Sequence, residues 1–452
     1  MRKSAITFLI VALTALIQHA ALAQDTAVTP PPAAKHTALY VCPMHSKVLS
    51  HAPGKCPKCK MTLLRVAETE HGDEGEEHTS HAAMRTVTSG LFRSMSALGS
   101  GTALQPSSTP MSAWHAMLGD WMFMLHGAVK VGFVHQGGWR GVGKAESQNW
   151  LMLMAENNVG PGRLTLRGMI TAEPLTAPHG GFPQLFQTGE TYRGTPIIDA
   201  QHPHDLFMEL AASYTLPVSE KVSLQIYGGP VAEPALGPVA FMHRASAAEN
   251  PASPLSHHWQ DSTHVSHGVI TGALRVGRFK FEASGFHGAE PDEDRVKIEL
   301  GRLDSYSFRG WFTPTPDWAM QFSYGHLANP EALHPGDLDR LTASVSYNRR
   351  LRGGNWASTL IWGRNSEVHG DSNSYLFEST LNFLSKNHLY LRTELVDKQG
   401  LFDDNIFGRS LPPREDGLCK TGGNYQHHWA FQGGLYAQRL AQPEPFGFFL
   451  QL

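Results

Sequence analysis

Apolar and polar residues alternate in many short segments after residue 120. In one of them, Leu164 and Leu166 fall on one face of an extended chain, and Thr165 and Arg167 fall on the opposite face. Successive side chains of a β-strand point to opposite faces, so this alternation predicts strands with one apolar and one polar face. Fourteen such segments begin near residues 122, 148, 163, 205, 221, 265, 278, 304, 318, 338, 355, 373, 387 and 425.

The connections between these segments alternate between short and long. The short connections are residues 157–162, 217–220, 277, 314–317, 352–354 and 385–386. The long ones are residues 174–204, 230–264, 288–303, 327–337 and 398–424, with shorter members at 137–147 and 365–372. Tight turns at one end and long loops at the other are typical of bacterial outer-membrane barrels, as is an even number of strands. We therefore predict a mainly β protein in which residues 120–440 form an antiparallel transmembrane β-barrel of about 14 strands.

The same parity turns a set of charged residues towards the inside of the predicted barrel. They are Arg167, Glu209, Arg275, Arg392 and Glu394, and they could pair and block the lumen. A soluble all-β sandwich or barrel would share the alternation. It would not explain the asymmetry of the connections or the charges on one face of most strands. One feature departs from the usual outer-membrane pattern, because the chain ends on a leucine rather than on an aromatic residue.

The start of the chain predicts export. Arg2 and Lys3 precede an apolar run that ends in a small-x-small cleavage site before Gln24, which is typical of a signal peptide over residues 1–23. This run is too short to cross a membrane as a helix, and no later run of about 18 apolar residues follows it. Residues 24–37 are rich in Pro, Ala and Thr and are expected to be flexible. The net charge is −3 and no basic stripe occurs, so we expect no nucleic-acid partner.

Cysteine and methionine are concentrated in one short stretch near the N-terminus. The residues predicted to hold a metal ion there are Cys42, Met44, His45, Cys56, Cys59 and Met61. Thiolate and thioether sulfur are soft ligands that favour Cu(I), and thiolate also binds Zn(II). The Cys-x-x-Cys spacing places two sulfurs on one turn, where a single ion can bridge them. Two simpler interpretations are a structural zinc knuckle and a disulfide between two of the cysteines.

This stretch resembles the small heavy-metal-binding domain appended to copper-transporting P-type ATPases and to periplasmic adaptors of copper and silver efflux pumps. The resemblance rests on Tyr40-Val41-Cys42-Pro43-Met44-His45, followed by Pro53-Gly54-Lys55-Cys56-Pro57-Lys58-Cys59-Lys60-Met61-Thr62-Leu63. It covers residues 38–65 only, and Lys60 stands where the family often has glycine. The resemblance implies a small N-terminal metal-binding module. Ligand softness favours copper as its cofactor over zinc or another soft metal.

Histidines are also clustered outside this module. Residues 66–119 form an acidic, histidine-containing linker that either collects metal weakly or is simply solvated. Loops at residues 199–205 and 257–267 carry histidines at the long-loop mouth, including those at positions 202–204. Imidazole with carboxylate suits Zn(II), Cu(II) or Ni(II), whereas a hydrogen-bonded network that pins the loops is the simpler interpretation. No catalytic motif occurs, so we expect no enzyme.

Together these features predict a protein of the outer membrane whose N-terminal module lies in the periplasm. An even number of strands leaves both chain ends on the periplasmic side, with residues 441–452 as a C-terminal tail. The expected function is to bind copper or a similar soft metal and to assist its efflux, resistance or homeostasis. The expected partners are a metal ion, outer-membrane lipid and periplasmic efflux components. The alternatives are a structural or adhesion barrel with a metal-sensing appendage and, third, a metal-dependent barrel enzyme built on the loop at residues 199–205.

Overall fold

The computed structural model describes most of the chain between residues 99 and 398, and shorter parts elsewhere. The described residues are 39–41, 49–50, 52, 54–55, 57, 64–66, 99–111, 113–136, 140–261, 266–333, 335–368, 370–384, 387–398, 426–437 and 446–451. The expected signal peptide and the segment at residues 24–37 lie outside them.

Two small structures accompany the main sheet. Strands β1 (Leu39–Val41), β2 (Leu49–Ser50) and β3 (Leu64–Val66) form an antiparallel sheet in the order β2-β1-β3. Strands β8 (Phe182–Tyr192) and β9 (Thr195–Gln201) form a separate hairpin. The short helices are α1 (Glu173–Thr176), α2 (His257–Gln260) and a 3₁₀ turn at Phe241–His243. No helix in the described part of the chain is both long and apolar enough to cross a membrane.

The main sheet contains 16 strands. They are β4 (Trp114–Leu118), β5 (Trp121–His135), β6 (Gly143–Val159), β7 (Gly162–Ile170), β10 (Phe207–Pro217), β11 (Val222–Ala232), β12 (Ser266–Val276), β13 (Phe279–Phe286), β14 (Ser305–Phe312), β15 (Trp318–Leu327), β16 (Leu338–Leu351), β17 (Gly354–Glu367), β18 (Gly370–Phe383), β19 (Asn387–Lys398), β20 (Gln426–Ala437) and β21 (Phe446–Gln451).

Fourteen of these strands form one antiparallel path, which confirms the predicted fold class. The path runs from β5 through β6 and β7 to β10, and then through every following strand to β20. Each strand pairs with the next strand of this path, and only the hairpin β8-β9 is left out between β7 and β10. Every strand of the path begins within five residues of its predicted start, the largest difference being at β6. Two strands that the sequence did not predict also pair with β5: β4 is antiparallel to it and β21 is parallel to it.

The sheet is apolar outside and polar inside. Ile270 and Phe281 are exposed on the outer face, at 56% and 55%. Their neighbours Thr271 and Glu282 point to the other face and are 1% and 4% exposed. A soluble barrel buries its apolar face, so this inverted arrangement requires an apolar medium around the protein. The chain therefore forms a transmembrane β-barrel, as the alternation predicts.

Contacts with a single loop show that the sheet curls on itself. Lys130 on β5 donates a hydrogen bond to Ala248 O at 2.6 Å, and Arg392 on β19 donates one to Ala252 O at the same distance. These strands lie near opposite ends of the antiparallel path. Because both reach the same short piece of chain, the sheet encloses a lumen.

Two pieces of chain occupy this lumen. The lumenal segment (residues 99–109) accepts a hydrogen bond from Lys280 at Thr102 O, and its Ala103 and Leu104 are 0% and 3% exposed. The lumenal loop (residues 233–261) follows β11 and contacts strands around most of the barrel wall. Residues 99–109 and 114–118 fall within the expected linker; the first group thus lies in the lumen, and the second pairs with β5.

Gly237 lets the lumenal loop cross close to itself. Its φ is +77°, and a Cβ atom there would lie 1.9 Å from Gln260 O. Its N–H donates to Ser323 Oγ, and its carbonyl accepts from Arg309. A side chain at this position would clash with backbone and strain the turn.

We expect the outer face to reject charge in a depth-dependent way. Leu166 lies within β7, and Val276 lies beside the turn at Gly277; the two are exposed alike, at 42% and 43%. Leu166→Arg should cost about 2–4 kcal/mol of folding free energy in lipid vesicles, and Val276→Arg about 1 kcal/mol or less. Urea titration followed by heat-modifiable gel mobility measures both. Equal costs would show that the outer face does not contact lipid.

Candidate metal sites

The N-terminal sheet brings together strand ends that flank the predicted metal-binding stretch. Val41, the last residue of β1, pairs with Leu49 of β2 and with Leu64 of β3. The intervening residues 42–48 and 51–63 contain all of the predicted ligands. The ligands themselves lie outside the described residues: Cys42, Met44, His45, Cys56, Cys59 and Met61. Their assignment therefore stays a prediction.

Ionised side chains line the lumen, and they have partners. Arg167 lies 3.2 Å from Glu209, and both point inward as parity predicts. Arg309 and Lys280 contact the carboxylate of Glu282 at 2.8 and 2.9 Å. The Arg309 and Glu282 side chains have no exposed surface. A buried charge without a partner is strongly destabilising, so these pairs constrain which arrangements of the interior are stable.

Glu378 of β18 anchors the lumenal loop to the wall. Arg244 of the loop and Arg392 of β19 both bind its carboxylate, and Ser246 Oγ donates to it at 2.8 Å. Glu394 adds a second anchor, because its carboxylate accepts the backbone N–H of Ser256 at 2.9 Å. The inward charges thus hold the loop across the lumen.

Three loop histidines converge near the ends of the strands that carry long connections. One ring nitrogen from each of His202, His257 and His258 lies within 4.8 Å of the others, and all three residues are buried. His258 Nδ1 is also 3.6 Å from Glu290 Oε1 and 3.9 Å from Glu331 Oε1. Imidazole and carboxylate at such separations can hold Zn(II) or Cu(II).

Carboxylates and one arginine surround these histidines. His202 Nε2 lies 2.8 Å from Glu190, and Arg295 contacts both Glu190 and Asp205. Burial opposes ionisation of Glu190, but His202 and Arg295 together lower its pKa to about 2. Burial raises the pKa of Glu290 well above its usual range. The ion pairs of this cluster hold the loops together, and its histidine nitrogens are also close enough to bind one divalent ion.

Three further residues of these loops, His204, Asp199 and His267, contact partners outside the cluster of His202, His257 and His258. His204 Nδ1 lies 2.7 Å from Glu173, and Asp199 pairs with Arg140 at 2.6 Å. His267 Nδ1 accepts a backbone N–H from the loop after β13. Within the loop at residues 199–205, Asp199 and His204 therefore have partners of their own, whereas His202 and Asp205 are joined through Glu190 and Arg295.

Sequence reasoning missed a group of buried methionines on the inner face of the barrel. They are Met124, Met152, Met154, Met169 and Met208. A signal was present, because Met152 and Met154 are two residues apart in one strand and so share a face. Their meeting with methionines of other strands depends on register, which the alternation does not specify.

The N-terminal stretch matches a known family. Residues 39–66 match the family model of the heavy metal binding domain. A 50-residue part of the chain is 48% identical to a copper-transporting P-type ATPase of Rhizobium leguminosarum bv. viciae. This match covers 11% of the chain and only 6% of the ATPase. The resemblance drawn from the cysteine motifs is thus confirmed for this segment.

The barrel is similar to several solved porin-type structures. OpdQ of Pseudomonas aeruginosa is 10% identical, with 62% of this chain and 65% of that chain covered and a TM-score of 0.30. A BenF-like porin from Pseudomonas fluorescens Pf-5 is 10% identical, with 63% and 70% of the two chains covered and a TM-score of 0.31. OccAB4 of Acinetobacter baumannii is 8% identical, with 61% and 67% covered and a TM-score of 0.30. TM-scores near 0.3 are too low to support the barrel assignment. The barrel assignment rests on the strand order and on the inverted burial of the sheet. The chain is an outer-membrane-type β-barrel whose lumen holds two described pieces of chain, preceded by a segment that matches the heavy metal binding domain.

We expect Glu378 to control how firmly the lumenal loop is held. Glu378→Gln leaves Arg244 and Arg392 without their carboxylate, and breaking a buried ion pair costs about 3–5 kcal/mol. Trypsin cleavage after Arg244 in detergent micelles, followed by mass spectrometry, should accelerate by more than about tenfold. Asp371→Asn, which breaks an exposed pair on the same strand, is the matched control and should change the rate little. Similar rates in the two variants would contradict the anchoring role.

Proposed function

We propose that this protein binds copper through its N-terminal domain and takes part in copper efflux, resistance or homeostasis at the outer membrane. The observation that carries the proposal is the match of residues 39–66 to the heavy metal binding domain. The copper-transporting ATPase match supports copper in particular. Thiolate and thioether ligands favour Cu(I) over harder ions.

The ion is held by three thiolates and the soft or borderline groups beside them. Cys42, Cys56 and Cys59 supply the thiolates, and His45, Met44 or Met61 completes the site. So short a segment buries little apolar surface, so the metal itself supplies much of the folding free energy.

The strand count supports a periplasmic position for this domain. An even number of antiparallel strands leaves both ends of the barrel on the periplasmic side, where efflux components would be within reach. Residues 67–98 connect the domain to the lumenal segment, which contacts the inner wall. A random coil of that length has a root-mean-square end-to-end distance of about 30 Å, and a covalent link of that reach gives an effective concentration in the millimolar range.

The filled lumen favours controlled handling of ions over free diffusion. Arg244 and Glu378 hold the lumenal loop across the lumen, and His202, His257 and His258 form a second metal-binding point near the long loops. The same filled lumen also supports the alternative function, a structural or adhesion barrel whose N-terminal domain senses metal.

We expect metal to fold the isolated domain. Adding Cu(I) to the reduced fragment of residues 24–66 should change its circular dichroism, because binding and folding are coupled. Cys56→Ser with Cys59→Ser should abolish binding. Met61→Leu should weaken Cu(I) more than Zn(II), since only the soft ion uses a thioether. A spectrum that is unchanged by both ions would refute metal binding by this domain.

We expect loss of the domain to lower metal tolerance without loss of the barrel. Deletion of residues 38–65 should reduce growth in copper or silver while heat-modifiable mobility of the barrel persists. The full-length chain with Cys42, Cys56 and Cys59 replaced by serine is the matched control, and it should behave like the deletion. Equal tolerance of wild type and deletion to copper, silver and zinc would assign the barrel a structural or adhesive role.

A further inference from the structure

The buried methionines form two rows across the inner wall. Strand register places His126 of β5 opposite Met152 of β6, and Met152 opposite Met169 of β7. The next row pairs Met124 with Met154. Directly opposite residues in an antiparallel sheet share one face, so these side chains meet on the lumenal side.

A β-bulge brings a further thioether to the same place. The register of β10 against β7 shifts between Phe207 and Glu209. Met208 and Glu209 are consequently both buried, at 9% and 5% exposure, although they are sequence neighbours. Met208 packs in the methionine cluster, and Glu209 lies opposite Met169.

This composition is unusual for the lumen. Many inward positions elsewhere carry charged or hydroxyl side chains, such as Arg309 and Thr342, and the apolar ones include Ile361 and Leu376. Five of the chain's 15 methionines are gathered in this one cluster, and Met111 and Met242 pack against it. Methionine fills irregular gaps in ordinary cores, and it also brings a polarisable thioether sulfur. The shared property of these side chains is a soft sulfur donor.

Two imidazoles accompany the thioethers. His243 of the lumenal loop places Nε2 3.3 Å from Met169 Sδ. Two ligands of one ion lie about 3.5 Å apart when their bonds are roughly 2.0–2.3 Å long and the geometry is tetrahedral. The ring of His126 is 5.9 Å from that of His243, and its buried Nε2 has no hydrogen-bond partner among the described residues. A buried ring nitrogen of this kind is costly unless something binds it.

A small cavity adjoins Met169 and His243. It is also lined by Met208 and Met242, and by the side chains of Glu209 and Glu233. Its volume of about 30 Å³ exceeds the roughly 10–15 Å³ that one water molecule needs on the same measure. The cavity therefore has room for one ion beside soft donors and two carboxyl groups.

We propose that the lumenal wall holds a Cu(I) site built from Met152, Met169, His126 and His243, with Met208 and Met242 at its open side. Thioether sulfur with neutral imidazole suits Cu(I) and disfavours Mg²⁺ and Ca²⁺, which take oxygen ligands. Three of the four ligands come from the wall and one from the lumenal loop, so the bound ion links the loop to the barrel. The site is independent of the cysteines of the N-terminal domain.

Copper titration of the full-length protein without cysteines tests this site. In this background Cys42, Cys56, Cys59 and Cys419 are all replaced by serine, so only other ligands remain. The reduced protein in detergent should bind Cu(I) in competition with a chromophoric Cu(I) chelator. X-ray absorption at the copper edge should show both sulfur and nitrogen neighbours.

Isosteric variants then separate ligation from packing. Met152→Leu with Met169→Leu keeps the side-chain volume nearly unchanged. It should lower Cu(I) affinity by at least about tenfold, because even the loss of a residue that only supports a metal ligand lowers affinity by that much. Met320→Leu is the matched control: it makes the same change on β15, where both neighbouring positions, Ala319 and Gln321, are buried. It should leave the affinity unchanged. Heat-modifiable mobility checks that each variant folds.

Three results would overturn the proposal. They are no Cu(I) binding by the cysteine-free chain, equal affinity in the double methionine variant, and copper with nitrogen neighbours alone, which would assign the ion to the loop histidines. Metal binding by the N-terminal domain is measured separately, with the fragment of residues 24–66. If that fragment binds no metal, the proposed site on the lumenal wall is unaffected. If the cysteine-free chain binds no Cu(I), the proposed function of the N-terminal domain is unaffected.

Discussion

Charge burial inside an apolar shell is the constraint on which this structure depends. Lipid surrounds the wall, so ionised groups at membrane depth are favoured on the inner face of the strands, where they need partners. The lumenal segment and the lumenal loop supply many of these partners as backbone carbonyls and side chains. Arg309, for example, binds Glu282 of the wall, Thr102 of the segment and Gly237 of the loop. The interior is therefore organised largely by polar pairing, and one apolar cluster lies where the two lumenal pieces pack together.

This organisation bears on how an ion would cross or dwell in the barrel. Anchored pieces of the described chain cross the lumen, so an ion moving through it would meet binding groups along the way or displace the loop. Three donor sets of decreasing softness lie along the chain. Thiolates occupy the N-terminal domain, thioethers with imidazole occupy the inner wall, and imidazole with carboxylate lies near the long loops. Such a series would let oxidation state and metal identity decide where an ion is held.

Prediction from sequence succeeded where local physics decides the outcome. The fourteen strands follow from two-residue periodicity, because a strand in lipid must present an apolar face along its whole length. Parity also gave the correct direction for Arg167 and Glu209. The sequence did not predict β21, which pairs in parallel with β5, or the bulge that turns Met208 inward. Both depend on partners far away in the chain, and a bulge breaks the very periodicity from which direction is inferred.

The amino-acid sequence alone determined the fold class, the inward direction of Arg167 and Glu209 and the resemblance of the cysteine motif to the heavy metal binding domain, because each depends on residues close together in the chain. Only the tertiary structure decided what fills the lumen and which distant side chains meet. His202 joins His257 and His258, whereas His204 pairs with Glu173, although both histidines belong to the same short loop. The methionine rows exist because of strand register, and register is set by the hydrophobic pattern of both paired strands and by the turns between them.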